Sequence, residues 1–483
     1  MLLFAGMLGM LAVGAAAFVG LDSEIDHLEP EANDAPEAEE TQESGATIDI
    51  ATFLNGGMLE APAETDSCDG TDEATDQDVT EDDTGDDWTI STGGEAGDTV
   101  TGTDGKGSTC AFLAALLQDQ GRRVGVYSSP HLLRYNERIR VNAEEISDEA
   151  IVASFEAVER HRKGVSLTYF EFGTLAALQH FSGQSLDYLI LEVGLGGRLD
   201  AVNIIEPQLT VVTSIDLDHQ AWLGDSRESI GREKAGIFRR GVAAVCGDAD
   251  PPESVLQTAR ELDAPLFVYG RDFGLTRSAE RALHWQGRSL DGQHLELQTA
   301  QSPVLLDSNV ATALQALALL PNTGVQDYAA LESGVSGRQE RIEFDGIDII
   351  LDVSHNPAAA RALAAYLSDL PAVDRCCALF AVMADKDIEG MVSALKARFD
   401  AWFLGDLTDN ARAKPARDLA PMLHEQGIHM ISVSKNMRQA FARAVSLLEP
   451  GQRLVVFGSV YTVAEVKAIL DRKLSRRSLE GEA

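Results

Sequence analysis

Residues 102–109 (GTDGKGST) constrain the fold and the function of this chain more than any other stretch. A short strand is predicted before them at 98–101, and a helix is predicted after them from residue 110 until Gly121. A glycine loop between a strand and a helix N-terminus forms an anion cradle, because backbone N–H groups converge there and the helix dipole favours negative charge. Lys106 would reach the β- and γ-phosphates of a nucleotide, and Ser108 or Thr109 would face Mg²⁺.

The spacing of the loop differs from the usual Gly-x₄-Gly-Lys-Ser/Thr pattern, because Gly107 separates Lys106 from Ser108. The alternative interpretation is a glycine-rich surface turn. Under the phosphate interpretation, the nucleotide contacts of the loop are Gly102, Thr103, Gly105, Lys106, Gly107, Ser108 and Thr109.

Downstream of the loop, strand and helix patterns alternate densely. Such alternation predicts an α/β fold with a parallel sheet covered by helices on both faces, and it places functional groups at the carboxyl ends of the strands. We predict an ATP-binding P-loop domain at 99–321, a linker at 322–337 and a Rossmann-like α/β domain at 338–475. The predicted strands are 124–127, 186–191, 209–215, 347–353, 377–382, 401–404 and 454–457, with helices at 149–162, 172–181 and 308–320 and short strands within 265–305.

The first hundred residues have a different character. Residues 1–21 are almost wholly apolar and long enough to span a bilayer, which takes about 20 residues. They lack basic flanks, so a membrane or export segment and a misassembled start stay open as alternatives. Residues 22–98 are acidic and poor in large apolar side chains, which predicts a disordered leader.

The charge of the chain is concentrated in that leader. Residues 22–98 hold 26 of the 77 Asp and Glu residues, and the first Lys or Arg of the chain is Lys106. Removing these 26 charges from the net charge of −38 leaves −12, which is ordinary for an acidic protein. We therefore expect no nucleic-acid partner, because no basic stripe is present. Five scattered cysteines without metal spacing predict a reduced, cytoplasmic environment for the α/β domains.

Polar residues with complementary chemistry follow successive predicted strands. Lys106 and Ser108 follow the first strand, and Ser129, Glu192 and His219 follow the next three. Oxygen ligands with one imidazole suit Mg²⁺ or Mn²⁺ beside nucleotide phosphates. Each residue also has a plainer interpretation: a turn cap for Ser129, a surface carboxylate for Glu192 and a core histidine for His219.

From residue 102 to about residue 472 the chain resembles the bifunctional dihydrofolate synthase/folylpolyglutamate synthase family of Mur ligases. The matching motifs are 102–109 (GTDGKGST), 127–132 (YSSPHL), 167–171 (LTYFE), 192–200 (EVGLGGRLD), 213–219 (TSIDLDH), 232–238 (REKAGIF), Asn309, 337–338 (GR), 352–357 (DVSHNP), 385–387 (DKD) and 458–459 (GS). The resemblance implies a Mur-ligase-type central domain with a C-terminal α/β domain. It also implies ATP-dependent addition of L-glutamate to dihydropteroate or a folate, with two Mg²⁺ sites.

The resemblance also implies residue roles. Ser129 and Glu192 would hold one Mg²⁺, and Glu192 and His219 the other. Lys234 matches a lysine that is carbamylated in the family, although the sequence by itself favours a helix-surface lysine. Asp200 would contact the pterin. The remaining nucleotide contacts would be Asn309, Arg338, Asp352 and His355, and the catalytic set would be Lys106, Lys234 and His219. We expect a monomer.

Several departures from the family leave alternatives open. Asp104 replaces an Asn of the ATP loop, Val202 a Thr, Ser336 a frequent Pro and Tyr461 a His, and residues 1–101 replace the family's N-terminal segment with unrelated sequence. We therefore interpret the chain as a truncated ligase fused to an acidic leader. The alternatives are a nucleotide-binding pseudo-ligase, a membrane-tethered acidic Ca²⁺-binding protein that uses residues 1–100, and a ligase for another acidic acceptor.

Overall fold

The computed structural model describes residues 97–278, 282–299, 305–326 and 335–481. Within them the chain divides into two compact units, one of residues 97–147 and 186–481 and one of residues 148–185. The predicted apolar segment 1–21, nearly all of the acidic leader, its Ca²⁺-binding alternative and half of the predicted linker (327–334) lie outside the described residues.

An eight-stranded sheet forms the centre of the part of the first unit for which ATP binding is predicted. Its strands are β1 Gly97–Thr101, β2 Val124–Tyr127, β3 Ile139–Val141, β4 Glu144–Glu145, β5 Tyr188–Glu192, β6 Pro207–Val212, β7 Ala243–Cys246 and β8 Leu266–Val268. The order is β4-β3-β2-β5-β1-β6-β7-β8, parallel apart from the antiparallel edge β2-β3-β4. Because β1 pairs with both β5 and β6, the loop after it lies at the middle of the carboxyl edge.

Helices connect these strands and cover the sheet. In chain order they are α1 Lys106–Asp119, α2 Asp148–His161, α3 Tyr169–Ser182, α4 Gln220–Leu223, α5 Arg227–Ala235, α6 Glu253–Glu261 and α7 Asp307–Leu319. α1 packs against α7 in the main core, where Leu113, Leu117, Val310 and Leu314 are fully buried. This burial fixes the direction of α1 and, with it, the position of the loop at its N-terminus.

A small antiparallel sheet precedes α7 in the chain. It consists of β9 Gly274–Arg277, β10 Leu283–Arg288 and β11 His294–Thr299. Trp285 on β10 is fully buried in the main core and donates its indole N–H to the Ala311 carbonyl at 3.2 Å. The small sheet is therefore attached to the helix that carries Asn309.

The C-terminal part contains a six-stranded sheet of order β12-β13-β17-β14-β15-β16, in which only β12 is antiparallel. Its strands are β12 Glu340–Phe344, β13 Ile347–Leu351, β14 Cys376–Phe380, β15 Ala401–Gly405, β16 Ile431–Ser434 and β17 Arg453–Phe457. Its helices are α8 Pro357–Asp369, α9 Ile388–Leu395, α10 Ala416–Glu425, α11 Met437–Ser446 and α12 Val460–Gly481. A separate apolar core lies on each face of this sheet. Val455 packs in the core that contains α8, α9 and α10, whereas Val456 packs in the core that contains α11 and α12. This is the predicted doubly covered sheet.

The second unit is a helical hairpin of α2 and α3. Thr168 and Glu171 form a reciprocal capping box that starts α3, in which each side chain accepts the other residue's backbone N–H. The rings of Phe155 and Phe172 lie 5.7 Å apart between the helices. The sequence predicted both helices but not their separation as a unit.

The structure corrects the predicted end of the disordered leader. Gly97 and Asp98, the last two residues assigned to it, belong to the fully buried strand β1, which confirms the strand predicted at 98–101 and extends it by Gly97. Asp98 is exceptional there, because neither carboxylate oxygen has a hydrogen-bond partner and burial raises its pKa well above the usual range. None of the described helices is long and apolar enough to cross a bilayer.

Candidate active site

The glycine loop is held by the residues that follow β6. Thr103 donates its backbone N–H to the Ser214 carbonyl at 2.7 Å, and the Thr213 hydroxyl donates to the Asp104 carbonyl at 2.6 Å. A side chain at Gly102 would overlap the Thr213 hydroxyl. Gly105 has a positive φ of 86°, and a Cβ there would overlap the Asn309 amide oxygen. The side chains of Thr213 and Asn309 therefore lie so close to the loop backbone that residues 102 and 105 require glycine.

Lys106 is at the centre of the site's electrostatics. Its Nζ donates to the Gly102 carbonyl at 3.0 Å, so the ammonium lies over its own loop. Its positive charge contributes to the pKa of Glu192, Asp200, His219 and Lys234. The charge of Lys106 therefore acts on residues predicted for catalysis, metal binding and substrate binding. Ser108 and Thr109 are buried in the first turns of α1, and the Thr109 hydroxyl has no hydrogen-bond partner.

Glu192, at the end of β5, is almost fully buried, which excludes the surface-carboxylate interpretation. Its Oε2 accepts the Ser129 backbone N–H at 3.1 Å and would lie 3.5 Å from a Cβ on Gly107. Burial raises its pKa, although the charges of Lys106 and Arg338 act in the opposite direction. A buried carboxylate whose charged form is destabilised in this way fits a site that a cation would complete.

His219 follows β6 and precedes α4 with a left-handed backbone, φ 51°. Its side chain is 48% exposed, which excludes the core-histidine interpretation. The partial burial of the ring, together with the charges of Lys386 and Lys106, lowers its pKa, against the opposing effect of Asp218. A neutral imidazole is the form that binds a metal ion. Among the described residues no group of three or more His, Cys, Asp or Glu side chains is arranged to hold a metal, so phosphate or water oxygens would have to supply further ligands.

The C-terminal α/β part contributes a second set of polar groups to the same edge. Asp352 accepts backbone N–H groups of Gln339 at 3.0 Å and Ser354 at 2.9 Å. Burial raises its pKa, while the charge of Arg338 lowers it. Arg338 thus acts on both Asp352 and Glu192, and it connects the two parts of the site electrostatically.

Direct contacts also join the two parts. The Asn356 side-chain amide donates to both oxygens of Asp104, at 3.1 and 3.0 Å. Asp218 accepts from Lys386 Nζ at 2.7 Å, and its other oxygen lies 3.3 Å from His355 Nε2. Beside Asp104 a cavity of about 490 Å³ opens, lined by residues that include Arg227, Tyr269 and Ser308.

Comparisons with known proteins identify the family of the chain. The family model described as "Mur ligase middle domain" matches residues 100–320, and "Mur ligase, glutamate ligase domain" matches residues 337–460. The dihydrofolate synthase/folylpolyglutamate synthase of Escherichia coli K12 is 40% identical over 381 residues, covering 78% of this chain and 87% of that protein. The chain belongs to this family of Mur ligases.

Other relatives and solved structures support the membership. The folylpolyglutamate synthase of Lacticaseibacillus casei is 30% identical over 394 residues, covering 77% of this chain and 89% of that protein. E. coli FolC in complex with DHPP and ADP matches with a TM-score of 0.71 and 38% identity, covering 78% and 88%. A bifunctional folylpolyglutamate synthase/dihydrofolate synthase with Mn, AMPPNP and L-glutamate bound has a TM-score of 0.70 and 38% identity, covering 79% and 91%. The Mur ligase fold predicted from the sequence is therefore confirmed.

Within this Mur ligase, Lys234 lies on α5 with only 3% of its surface exposed, so the helix-surface interpretation is wrong. Burial, and next the charge of Lys106, lowers its pKa to about 7. The carboxylate of Asp200 accepts the backbone N–H groups of Leu195 at 2.9 Å and Val202 at 3.1 Å. The observed contacts of Asp200 thus shape the loop that follows Glu192, and its pterin contact stays a prediction.

Sequence reasoning missed the roles of Asp218, Lys386 and Asn356 in joining the two parts of this Mur ligase. All three belong to motifs that carried the resemblance, 213–219, 385–387 and 352–357. Their pairing could not be read from the sequence, because Lys386 and Asp218 are 168 positions apart. The sequence offered one signal for such contacts. Acidic residues follow strands of one predicted domain, and basic residues follow strands of the other.

Proposed function

We propose that this chain is an ATP-dependent ligase that joins L-glutamate to dihydropteroate, to a folate, or to both, through an acyl phosphate. The observation that carries the proposal is the convergence of the glycine loop, Lys106 and Arg338 on Glu192 at one edge of the central sheet. The names of the relatives reported above describe this chemistry, and both solved structures reported above hold an adenine nucleotide.

The proposed reaction has two balanced steps. A carboxylate oxygen of the acid substrate attacks the γ-phosphorus of ATP, and ADP leaves. The amine of L-glutamate then attacks the acyl carbon, an amide bond forms, a proton is released and inorganic phosphate leaves. A carboxylate is a poor acyl donor, so phosphorylation provides the leaving group. Charge spread over the transferring phosphoryl group requires fixed cations, and Lys106 is held at the loop for that role.

The nucleotide would be bound by both α/β parts. The loop residues 102–109 would hold the phosphates at the N-terminus of α1, where backbone N–H groups are free of intrahelical partners. Asn309, whose amide oxygen would overlap a Cβ on Gly105, would complete the site together with Arg338, Asp352 and His355. Because ATP would contact both α/β parts, its binding would align the nucleotide-binding residues of one part with those of the other.

A divalent ion, when bound, would neutralise phosphate charge and act as a Lewis acid. Ser129 and Glu192 supply oxygen donors for one ion, and His219 with Glu192 would supply ligands for a second. Lys234, with a pKa of about 7, presents the neutral amine that carbamylation needs, and the resulting carbamate would add a negative charge near Lys106. Asp200 would contact the pterin. The protein would act as a monomer on these small molecules.

Phosphate release from purified protein tests the proposal. Release should require ATP, a divalent ion, L-glutamate and either dihydropteroate or a folate, and mass spectrometry should detect the product with one more glutamate. Glu192→Ala should abolish turnover, whereas the exposed Glu253→Ala should leave it unchanged. Tight ATP binding without turnover on any of these acids would instead identify a non-catalytic nucleotide-binding protein or a ligase for another acid.

A further inference from the structure

We propose that Asp218 is a positioning residue that clamps the C-terminal α/β part onto the nucleotide edge by holding Lys386 and His355. The proposal deepens the ligase function and rests on it for its kinetic consequences, whereas the clamp itself is a structural claim. Asp218 directly precedes His219, and both of its oxygens contact residues of the C-terminal part.

The contacts of Asp218 form a compact cluster. Oδ1 accepts from Lys386 Nζ at 2.7 Å, while Oδ2 lies 3.3 Å from His355 Nε2 and 3.8 Å from His219 Nε2. The side chains of Asp218 and Lys386 are only 10% and 13% exposed. A carboxylate and an ammonium that are mostly buried and within hydrogen-bond distance depend on each other, because either one left behind would be a poorly solvated charge without its partner.

Lys386 and His355 come from separate loops of the C-terminal part. His355 precedes α8 and Lys386 precedes α9, and the two helices follow β13 and β14 in turn. One carboxylate therefore fixes two strand-end loops of that part simultaneously. Asp352, three residues before His355, accepts the backbone N–H next to Arg338. Holding His355 consequently also holds the segment that presents Arg338 to Glu192.

A neighbouring ion pair provides a matched control. Asp216 lies two residues before Asp218 and faces Arg361 of α8 at 3.8 Å, but these side chains are 42% and 64% exposed. Exposed ion pairs at this distance contribute little because water and salt screen them. Asp216→Asn thus removes the same charge from the same loop and from the same junction without removing the clamp.

The first experiment measures shape without substrates. Small-angle X-ray scattering of the full chain should give a larger radius of gyration for Asp218→Asn than for wild type and Asp216→Asn. Lys386→Gln, which removes the clamp from the other side, should give the same increase. Identical radii for all four proteins, with cooperative unfolding retained, would overturn the clamp.

The second experiment measures turnover. Asp218→Asn should lower kcat/KM for L-glutamate by roughly tenfold to a hundredfold, the range expected for losing a charged hydrogen bond. Asp216→Asn should stay within about threefold of wild type. The double variant Asp218→Asn/Lys386→Gln should be little worse than either single variant, because both remove one interaction. Multiplicative losses would show independent roles and overturn the proposal.

The two readouts separate the clamp from the ligase assignment. An increase in radius for both clamp variants, in a protein whose wild type releases no phosphate, would support the clamp while refuting the proposed reaction. Normal wild-type turnover with unchanged radii and unchanged kcat/KM in the clamp variants would support the reaction and refute the clamp.

Discussion

Lys234→Met removes a lysine whose amine is predominantly buried and whose pKa is about 7, against 10.5 for a free lysine. Burial is the first cause and the charge of Lys106 is the next. The substitution keeps an unbranched side chain of similar length and removes only the titrating group. We expect it to change how the stability of the ATP-binding part depends on pH.

The magnitude and the sign follow from proton linkage. Because the folded pKa lies below the unfolded one, the unfolded chain binds more protons between pH 7 and 10.5, so this lysine's contribution to stability rises with pH in that window. The cost of burying this lysine, as a loss in the free energy of unfolding, is largest below pH 7, at roughly 5 kcal/mol for a pKa shift from 10.5 to about 7. It falls to roughly 4 kcal/mol at pH 7 and roughly 2 kcal/mol at pH 9.

Guanidinium unfolding in CO₂-free buffer measures this difference. Trp285 is fully buried in the ATP-binding part, and a Trp402→Phe background would remove the buried tryptophan of the C-terminal part. Between pH 7 and 9 the stability of wild type should rise by about 2 kcal/mol relative to Lys234→Met. Any constant packing effect of the methionine cancels in this slope. The exposed Lys435→Met is the matched control and should follow wild type.

Equal pH slopes in wild type and Lys234→Met would refute the reasoning, because they would show that the amine is charged at neutral pH. The result bears on carbamylation as well, since only the neutral amine attacks CO₂. At a pKa of about 7 roughly half of the lysine is neutral at pH 7, against roughly one part in three thousand at 10.5.

Three further substitutions test other parts of the site and the core. Asp104→Asn keeps an oxygen for the Asn356 amide but removes a negative charge from the ATP loop, so the KM for ATP should fall by about fivefold; a rise would show that the charge strengthens the Asn356 contact. Gly105→Ala places a methyl group against Asn309 at a positive φ, and nucleotide affinity in a fluorescence titration should fall by roughly 5- to 150-fold, with no change arguing against a rigid loop. Asp98→Val replaces a buried carboxylate that has no hydrogen-bond partner, and the free energy of unfolding at pH 7 should rise by roughly 1 to 3 kcal/mol; a decrease would mean that Asp98 is stabilised by a group that is not apparent in the fold.

The sequence was most informative where an apolar run is continuous. β5 and β17 are buried on both faces of parallel sheets, and both were predicted within two residues of their observed bounds. β12 was missed because it is an antiparallel edge strand in which Glu340, Arg341 and Glu343 interrupt the apolar pattern. Edge strands lack the two-sided burial that makes central strands recognisable.

The candidate site likewise contains residues that the sequence could place and residues that it could not. The glycine loop and the residues at strand ends could be placed from the chain alone, because a parallel sheet brings its carboxyl ends to one edge. The burial of Lys234 could not, since its helix is strongly polar and the depth of the residue depends on what packs over it. The pairing of Asp218 with Lys386 and of Asp104 with Asn356 depends on how two separately folded sheets meet, which local patterns do not encode.

The central position of β1 has a consequence for the order in which the protein is made. Among the residues that the structure describes, β1 is the first strand to leave the ribosome, but Thr213, which pairs with Thr101 beyond the end of β6, follows 112 positions later. At typical rates of synthesis that separation lasts about 6 to 22 seconds. In the part of this interval before β5 is made, both edges of the strand are open to other nascent chains. The dense negative charge of residues 81–87, shortly before it, would repel an identical strand on a neighbouring ribosome.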